Sequence, residues 1–461
     1  MLVITELRRK NESMKKLSIL FCLFVSLLSA KAQEFKAVKI SGKAINFNNS
    51  VEVEDLTEFK DISLSSNERI FVPDSNKNFS IQFKIAIPGY YRIGRNIIYI
   101  SPGDDINATI DRINPTKSIF SGSRQIENTY LKLTPYPKQG SFLDGETGIQ
   151  SSIAKTIDYI LTKSKERSQQ LDSIRRMVSP DFYRLESVRI KADIINSFMN
   201  IPIYYSWVHK TSTDSALMIQ QQRDSLTKPI IAKLSKGLVN PLHLKLVVYR
   251  DVLNTILQNQ PSTFSIPQKI NDWFKASAIK QKAITLDNKN DLIALYKGID
   301  SINTDVYKNA IASTIAQLTQ LNQGDPAIDI LFTNTDNQTI PLSNFKNKVI
   351  YLEFWATWCG PCLADKPKME LLKQQFKNDD SIIFLSVSID DNLDAWKKYL
   401  IKQGVSKDEF IVDRNKLSNY NLLTVPRMIL INKDFTIEQL YAPGPGNKQL
   451  IPLLTKMRLK P

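Results

Sequence analysis

Cysteine and histidine are scarce in this 461-residue chain, which has three of the first and two of the second. That scarcity excludes several kinds of chemistry. A closed zinc site takes four cysteine or histidine ligands. His209 and His243 lie far from Cys359 and Cys362 and share no ligand spacing with them, so no metal is expected. A cysteine activated by histidine is also poorly supported, because no histidine follows residue 243. Internal repeats and low-complexity tracts are absent. No nucleic-acid motif and no dense basic run accompanies the formal charge of +15, which therefore reads as a solvated surface, with no nucleic-acid partner expected. After the first 32 residues no apolar stretch is long enough to span a bilayer.

The N-terminus does carry a signal. From Met14 the chain reads "MKKLSILFCLFVSLLSAKA": two lysines, an apolar run from Leu17 to Leu28, then small residues at Ala30 and Ala32. A basic start, a short apolar stretch and an A-x-A end predict a secretory signal over residues 1–32, cleaved before Gln33, with Met14 as the alternative start. An uncleaved membrane anchor is the competing reading. Cys22 sits mid-run behind bulky Phe21, without the small neighbour a lipoprotein cysteine needs, and is expected to be discarded. The mature chain then keeps two thiols, in the periplasm or cell envelope, where disulfides are permitted.

Three compositional regions follow. Over 33–118, short alternating stretches such as "FSIQFKIAI" and "INATIDRI", separated by "PDSNKN" and "SPGDD", predict an antiparallel, sandwich-like β-domain. Over 119–325 the period changes: Leu185, Val188, Ala192, Ile195 and Met199 fall on one helical face, and the segment reads as mostly helical. Over 326–461 a hairpin pattern precedes "KVIYLEFWA", a continuous apolar run fit for a buried strand, after which helices and strands alternate. That alternation predicts a layered α/β domain, and the whole chain a multidomain protein.

The remaining thiols stand as Cys-Gly-Pro-Cys, at Cys359 and Cys362, where a strand gives way to a helix. A staple closing so short a loop removes little unfolded-state entropy. A redox pair explains more. At a helix start, unpaired N–H groups and the helix dipole favour the thiolate, which is the species that attacks disulfides. Cys362, one turn in, can be less exposed and still reach Cys359. Pro361 suits the first turn because its missing N–H had no partner there, and Gly360 lets a substrate backbone approach. A buried Glu353, six residues before Cys359, could move protons near neutrality; an outward-facing strand residue is the plain alternative.

"FWATWCGPC" resembles the active-site motif of thioredoxins, and "LSNFKNKVIYLEFWATWCGPC" resembles the exported TlpA/ResA-type branch of thioredoxin-fold thiol–disulfide oxidoreductases. The resemblance covers about the last 135 residues. It implies a C-terminal thioredoxin fold, catalysis by Cys359 and Cys362 with Glu353 assisting the buried cysteine, and no cofactor beyond their own redox-active disulfide. It implies that Pro367 kinks the active-site helix and that Val425–Pro426 in "TVPRMILI" is cis and lies against the cysteines. Thr424, Val425 and Pro426 are then substrate contacts, with Trp358, Gly360 and Pro361 opposite. Asp365 stands where such proteins often carry a glutamate, as a proton relay or a helix-surface charge. Expected partners are disulfide-containing exported proteins and a membrane thiol reductase as electron donor. A thiol peroxidase is the alternative enzyme, though its threonine stands three residues before the cysteine and Thr357 stands two before. The front region also resembles those of exported thioredoxin-like proteins, and an envelope binding protein with an ancillary redox domain is the third reading.

Overall fold

The computed structural model describes residues 35–459 apart from 48–49, 65–68, 134–140, 213–214, 287–288, 392, 405–407 and 423. The predicted signal segment, with Met14 and Cys22, lies outside the described residues. Among the described residues no helix is long and apolar enough to cross a membrane.

The N-terminal region is built on strands β1 (Lys36–Ile45), β2 (Asn78–Ile85), β3 (Gly89–Ile93), β4 (Asn96–Ile100), β5 (Asp105–Asp111) and β6 (Ile119–Gly122). Strict alternation in β2 puts Phe79, Ile81, Phe83 and Ile85 inside and their neighbours outside. One sheet runs β2-β1-β5-β6, and β3 and β4 form a second with Glu54–Asp55. The pairing is antiparallel as expected except between β1 and β5, which run parallel. The chain leaves β1, comes back antiparallel beside it as β2, builds the β3–β4 hairpin of the second sheet and re-enters the first sheet as β5 in the direction of β1. Gly42 makes that closure possible: its φ is +138°, and a Cβ there would stand 2.0 Å from the Ala108 carbonyl oxygen.

The middle region is helical, through α1 (Ile153–Ser173), α2 (Pro180–His209), α3 (Ser215–Ser235), α4 (Val247–Gln258), α5 (Gln268–Ala283) and α6 (Asp305–Leu318). Ser179 caps α2 by accepting the Phe182 N–H, and Pro180 opens its first turn. The predicted face of α2 is inside: Leu185, Ala192 and Ile195 are buried, and Val188 and Met199 pack beside them. This core does not stop at the helices. Tyr90, Ile97 and Tyr99 from β3 and β4 belong to it. Two buried acids on α2, Glu186 and Asp193, flank Arg189, which donates to Glu186 at 2.8–3.0 Å and to Asp193 at 2.5 Å. Tyr90 donates to the same Glu186 at 2.8 Å. The acids hold Arg189 well above its usual range against the opposing effect of burial.

The C-terminal region comprises β7 (Leu331–Asn334), β8 (Thr339–Pro341), β9 (Val349–Trp355), α7 (Gly360–Gln375), β10 (Ile382–Ser388), α8 (Leu393–Gln403), β11 (Glu409–Ile411), β12 (Arg427–Ile431), β13 (Ile437–Gln439) and α9 (Leu450–Arg458). Its sheet runs β8-β7-β11-β10-β9-β12-β13. β9 lies parallel to β10 and antiparallel to β12, and β10 lies parallel to β11. Every residue of β9 is buried, because helices cover both faces. Tyr351 on β9 packs with Met369 and Leu372 of α7 and Leu454 of α9, while Leu352 and Phe354 pack with Trp396 and Leu400 of α8. A central parallel core with antiparallel outer strands and helices on both faces is the thioredoxin-like arrangement.

The buried ions of α2 give a test. Arg189→Ala removes the guanidinium that donates to both buried carboxylates, a change that costs about 3–5 kcal/mol. Chemical denaturation should show a lower midpoint by tryptophan fluorescence, with thiol–disulfide exchange in the folded variant unchanged. An unaltered midpoint would show that the triad contributes nothing.

Candidate redox site

β9 ends at Trp355, the chain turns through Ala356, Thr357 and Trp358, and α7 begins at Gly360. Cys359 is the residue that caps α7: its backbone is extended, and its sulfur accepts the Cys362 N–H at 3.2 Å. One orphan donor of the first turn is thus directed at sulfur, at the positive end of the helix. Cys359 and Cys362 are joined as a disulfide, with Cα atoms 5.2 Å apart. Pro361 falls in the first turn and Pro367 inside the helix, as the sequence predicts. A Cβ at Gly360 would meet nothing within 4 Å, so packing within the chain does not demand glycine there.

Exposure orders the two sulfurs. Cys362 is 0% exposed and Cys359 5%. Cys362 is the less exposed of the two, but in the disulfide form Cys359 too is buried, packed in the apolar cluster with Ala356 and Leu422. Trp358 beside it is 63% exposed, whereas Trp355 is fully buried.

The Val425–Pro426 bond is cis. Val425 packs against the cluster that contains both cysteines, and Thr424 is exposed next to it. Arg427 anchors this loop from beneath. Its guanidinium donates to the carbonyls of Asn421 at 3.1 Å and Leu440 at 3.2 Å, and it stacks 3.2 Å over the Tyr441 ring.

On the other side of the motif Asp390, just past β10, accepts the Thr357 N–H at 2.9 Å and hydroxyl at 2.7 Å, and the Ser388 hydroxyl at 2.6 Å. The turn that presents Cys359 is therefore tied to the neighbouring strand. The adjacent Asp391 pairs with Arg112 of the N-terminal region at 2.6 Å.

Glu353 is fully buried on the face of β9 that α7 covers. Its Oε2 accepts from the Ser386 hydroxyl at 2.8 Å and from Lys366 Nζ at 3.2 Å. Lys366 reaches Glu409 equally, at 3.2 Å, and lies 3.8 Å over the Trp355 ring. Glu409 is held above its ordinary carboxyl value, chiefly by burial, with Lys366 and Lys373 opposing and Glu353 reinforcing the shift. Asp365 is not part of this group. It pairs with Lys368 at 2.7 Å on the helix surface, and it is the next residue, Lys366, that turns inward to Glu353.

Sequence reasoning singled out Glu353 but missed Lys366, Glu409, Asp390 and Arg427. Lys366 was within reach of the pattern, since it follows Cys362 by four residues and shares its helix face. Glu409 was not, because only the sheet order brings β11 within reach of α7.

Residues 322–448 match the Redoxin family. The thiol–disulfide oxidoreductase ResA of Bacillus thuringiensis subsp. konkukian is 29% identical over 118 residues, 25% of this chain and 67% of ResA. ResA of Bacillus subtilis is 28% identical over 115 residues, again 25% of this chain and 64% of ResA. A crystal structure from Bacteroides vulgatus, classed provisionally as a thiol–disulfide oxidoreductase, is 34% identical, covering 30% of this chain and 99% of that one, with a TM-score of 0.29.

The raised Glu409 carboxyl predicts a pH effect. From the ordinary 4.5 up to its raised value, the folded protein keeps a proton that the unfolded chain has lost, so stability falls as pH rises through that window. Glu409→Gln removes the effect. The midpoint of the variant relative to wild type, measured by urea denaturation, should climb as pH is raised from about 4.5. A difference that stays constant with pH, or shrinks, would contradict it.

Proposed function

We propose that the chain, a member of the redoxin family through its C-terminal domain, is an exported thiol–disulfide oxidoreductase that reduces protein disulfides through Cys359 and Cys362. The observation that carries this reading is the Cys359 sulfur at the start of α7, accepting the Cys362 N–H, beside a cis-proline loop. The Cys362 N–H that faces the sulfur in the disulfide, with the helix dipole behind it, stabilises the thiolate when the bond is reduced.

The reaction is dithiol exchange. The Cys359 thiolate attacks one sulfur of a substrate disulfide, forming a mixed disulfide and releasing the other substrate sulfur as a thiolate, which takes a proton from water. Cys362 passes its proton to Glu353 and attacks the Cys359 sulfur. The Cys359–Cys362 disulfide forms, and the second substrate thiolate leaves. Two electrons have moved from the dithiol to the substrate, and a membrane thiol reductase on the export side restores them. Trp358, Gly360 and Pro361 on one side, and Thr424, Val425 and Pro426 on the other, form the walls against which an extended substrate segment lies. The Gly-Pro dipeptide, like that of reducing thioredoxins, favours the reducing direction. Nothing in the site favours a peroxidase: the Thr357 hydroxyl is donated to Asp390. Export rests on the N-terminal signal pattern.

Insulin reduction with purified full-length protein tests the mechanism. Cys359→Ser should abolish turnover, and Cys362→Ser should trap mixed disulfides with substrate. Turnover at the wild-type rate by Cys359→Ser would end this reading.

A further inference from the structure

The exchange reading uses one buried acid, but the structure buries two, with a lysine between them. Glu353, Ser386 and Glu409 stand in register across three adjacent strands: Glu353 opposite Ser386, and Ser386 opposite Glu409. Side chains at matched positions of a parallel sheet point to one face, and here that face lies under α7. Lys366 descends from α7 and touches both carboxylates at 3.2 Å. Each acid has one oxygen left over. Glu353 Oε1 and Glu409 Oε2 are both shut off from solvent and have no hydrogen-bond partner.

Charge decides what such a group can hold. With both acids ionised, two carboxylates and one ammonium sum to about minus one in a dry site, with two bare anionic oxygens, which is costly. One proton shared by the acids brings the sum to zero. The other groups facing this site do not replace that proton. Lys373 of α7 acts on Glu409 electrostatically and lies 3.1 Å from the Glu370 carboxylate; its buried ammonium makes no hydrogen bond, and the cation that both acids pair with is Lys366. Tyr399 of α8 lies against Trp355 and feels both acids as a repulsion to its ionised form. Ser386 donates to Glu353, and Trp355 offers Lys366 its ring face.

We infer that Lys366 and Glu409 are positioning residues of the redox centre: Lys366 keeps the charge on Glu353, the base for Cys362, while Glu409 holds the one proton the buried triad needs. Cys362 and Lys366 are one helical turn apart on the inner face of α7. When Cys362 gives its proton to Glu353, Lys366 shifts its weight to Glu409, and the proton on Glu409 is the one the site can release. The transfer takes the triad from zero to plus one while the Cys362 thiolate forms at minus one, so the two together stay neutral; loss of the Glu409 proton to solvent, with Lys366 then on Glu409, returns the triad to zero. Asp365, held at the surface by Lys368, takes no part.

The inference rests on the exchange reading, and the experiment separates the two. Full-length protein carrying a thionitrobenzoate adduct on Cys359 releases the coloured thiolate when Cys362 attacks, so the release rate against pH reads the assisted step directly. Lys366→Met should move the acid limb of that profile to higher pH by about one unit or more, slowing release roughly tenfold on the limb. Lys366→Arg should return the limb to its wild-type place. Infrared spectra of wild type should show a buried carboxylic-acid carbonyl band that persists as pH is raised above the ordinary carboxyl value of 4.5 and that Glu409→Gln removes. A Lys366→Met profile that overlays wild type, or a band that survives Glu409→Gln, overturns the inference. If Lys366→Met does not fold, the Glu409→Gln spectrum decides alone. If the wild-type adduct releases nothing at any pH, the exchange reading itself fails, whatever the band shows.

Discussion

One contact organises the C-terminal region: the Cys362 N–H pointing at the Cys359 sulfur, 3.2 Å away, at the first turn of α7. It exists because a fully buried strand delivers the chain to a helix start and a cysteine takes the capping position. Everything else around the motif keeps that junction in place. Asp390 ties the turn to β10, Arg427 braces the loop that carries the cis peptide bond, and α7 is pinned over the sheet by Met369 and Leu372 above and by Lys366 below.

Burial and charge are balanced differently in the two halves of the molecule. In the helical region Arg189 and its two acids are buried together, with contacts inside one helix and from Tyr90 of the neighbouring sheet. That arrangement joins β3 to α2 and has no oxygen of Glu186 without a donor. Under α7 the balance is incomplete: two carboxylate oxygens are left without donors. A buried polar group with spare valence is the kind that titrates or exchanges protons, and this one lies under the helix that carries Cys362.

Much of this was legible in the sequence. The continuous apolar run of β9, the helix start at Cys-Gly-Pro-Cys, and the residues around Pro426 were all placed by pattern and resemblance, and the thioredoxin-like layers followed. The periodic face of α2 was read from Leu185, Ala192 and Ile195. What escaped is long-range. The parallel β1–β5 pair depends on the path of the chain through a second sheet and on Gly42 admitting the Ala108 carbonyl. The Glu353–Lys366–Glu409 group depends on β11 lying beside β10, a neighbour relation that no local spacing encodes. Asp365 and Lys366 could not be told apart by composition either: adjacent on a helix, they point about 100° apart, and only packing decides which one turns inward.

The central claim is that the first thiol ionises readily because a helix N–H and the positive end of the helix face it. Alkylation of the reduced full-length protein by iodoacetamide, followed at Cys359 as a function of pH, measures this directly. The account predicts a midpoint clearly below the ordinary cysteine value of about 8.5. A midpoint at or above that value would contradict it.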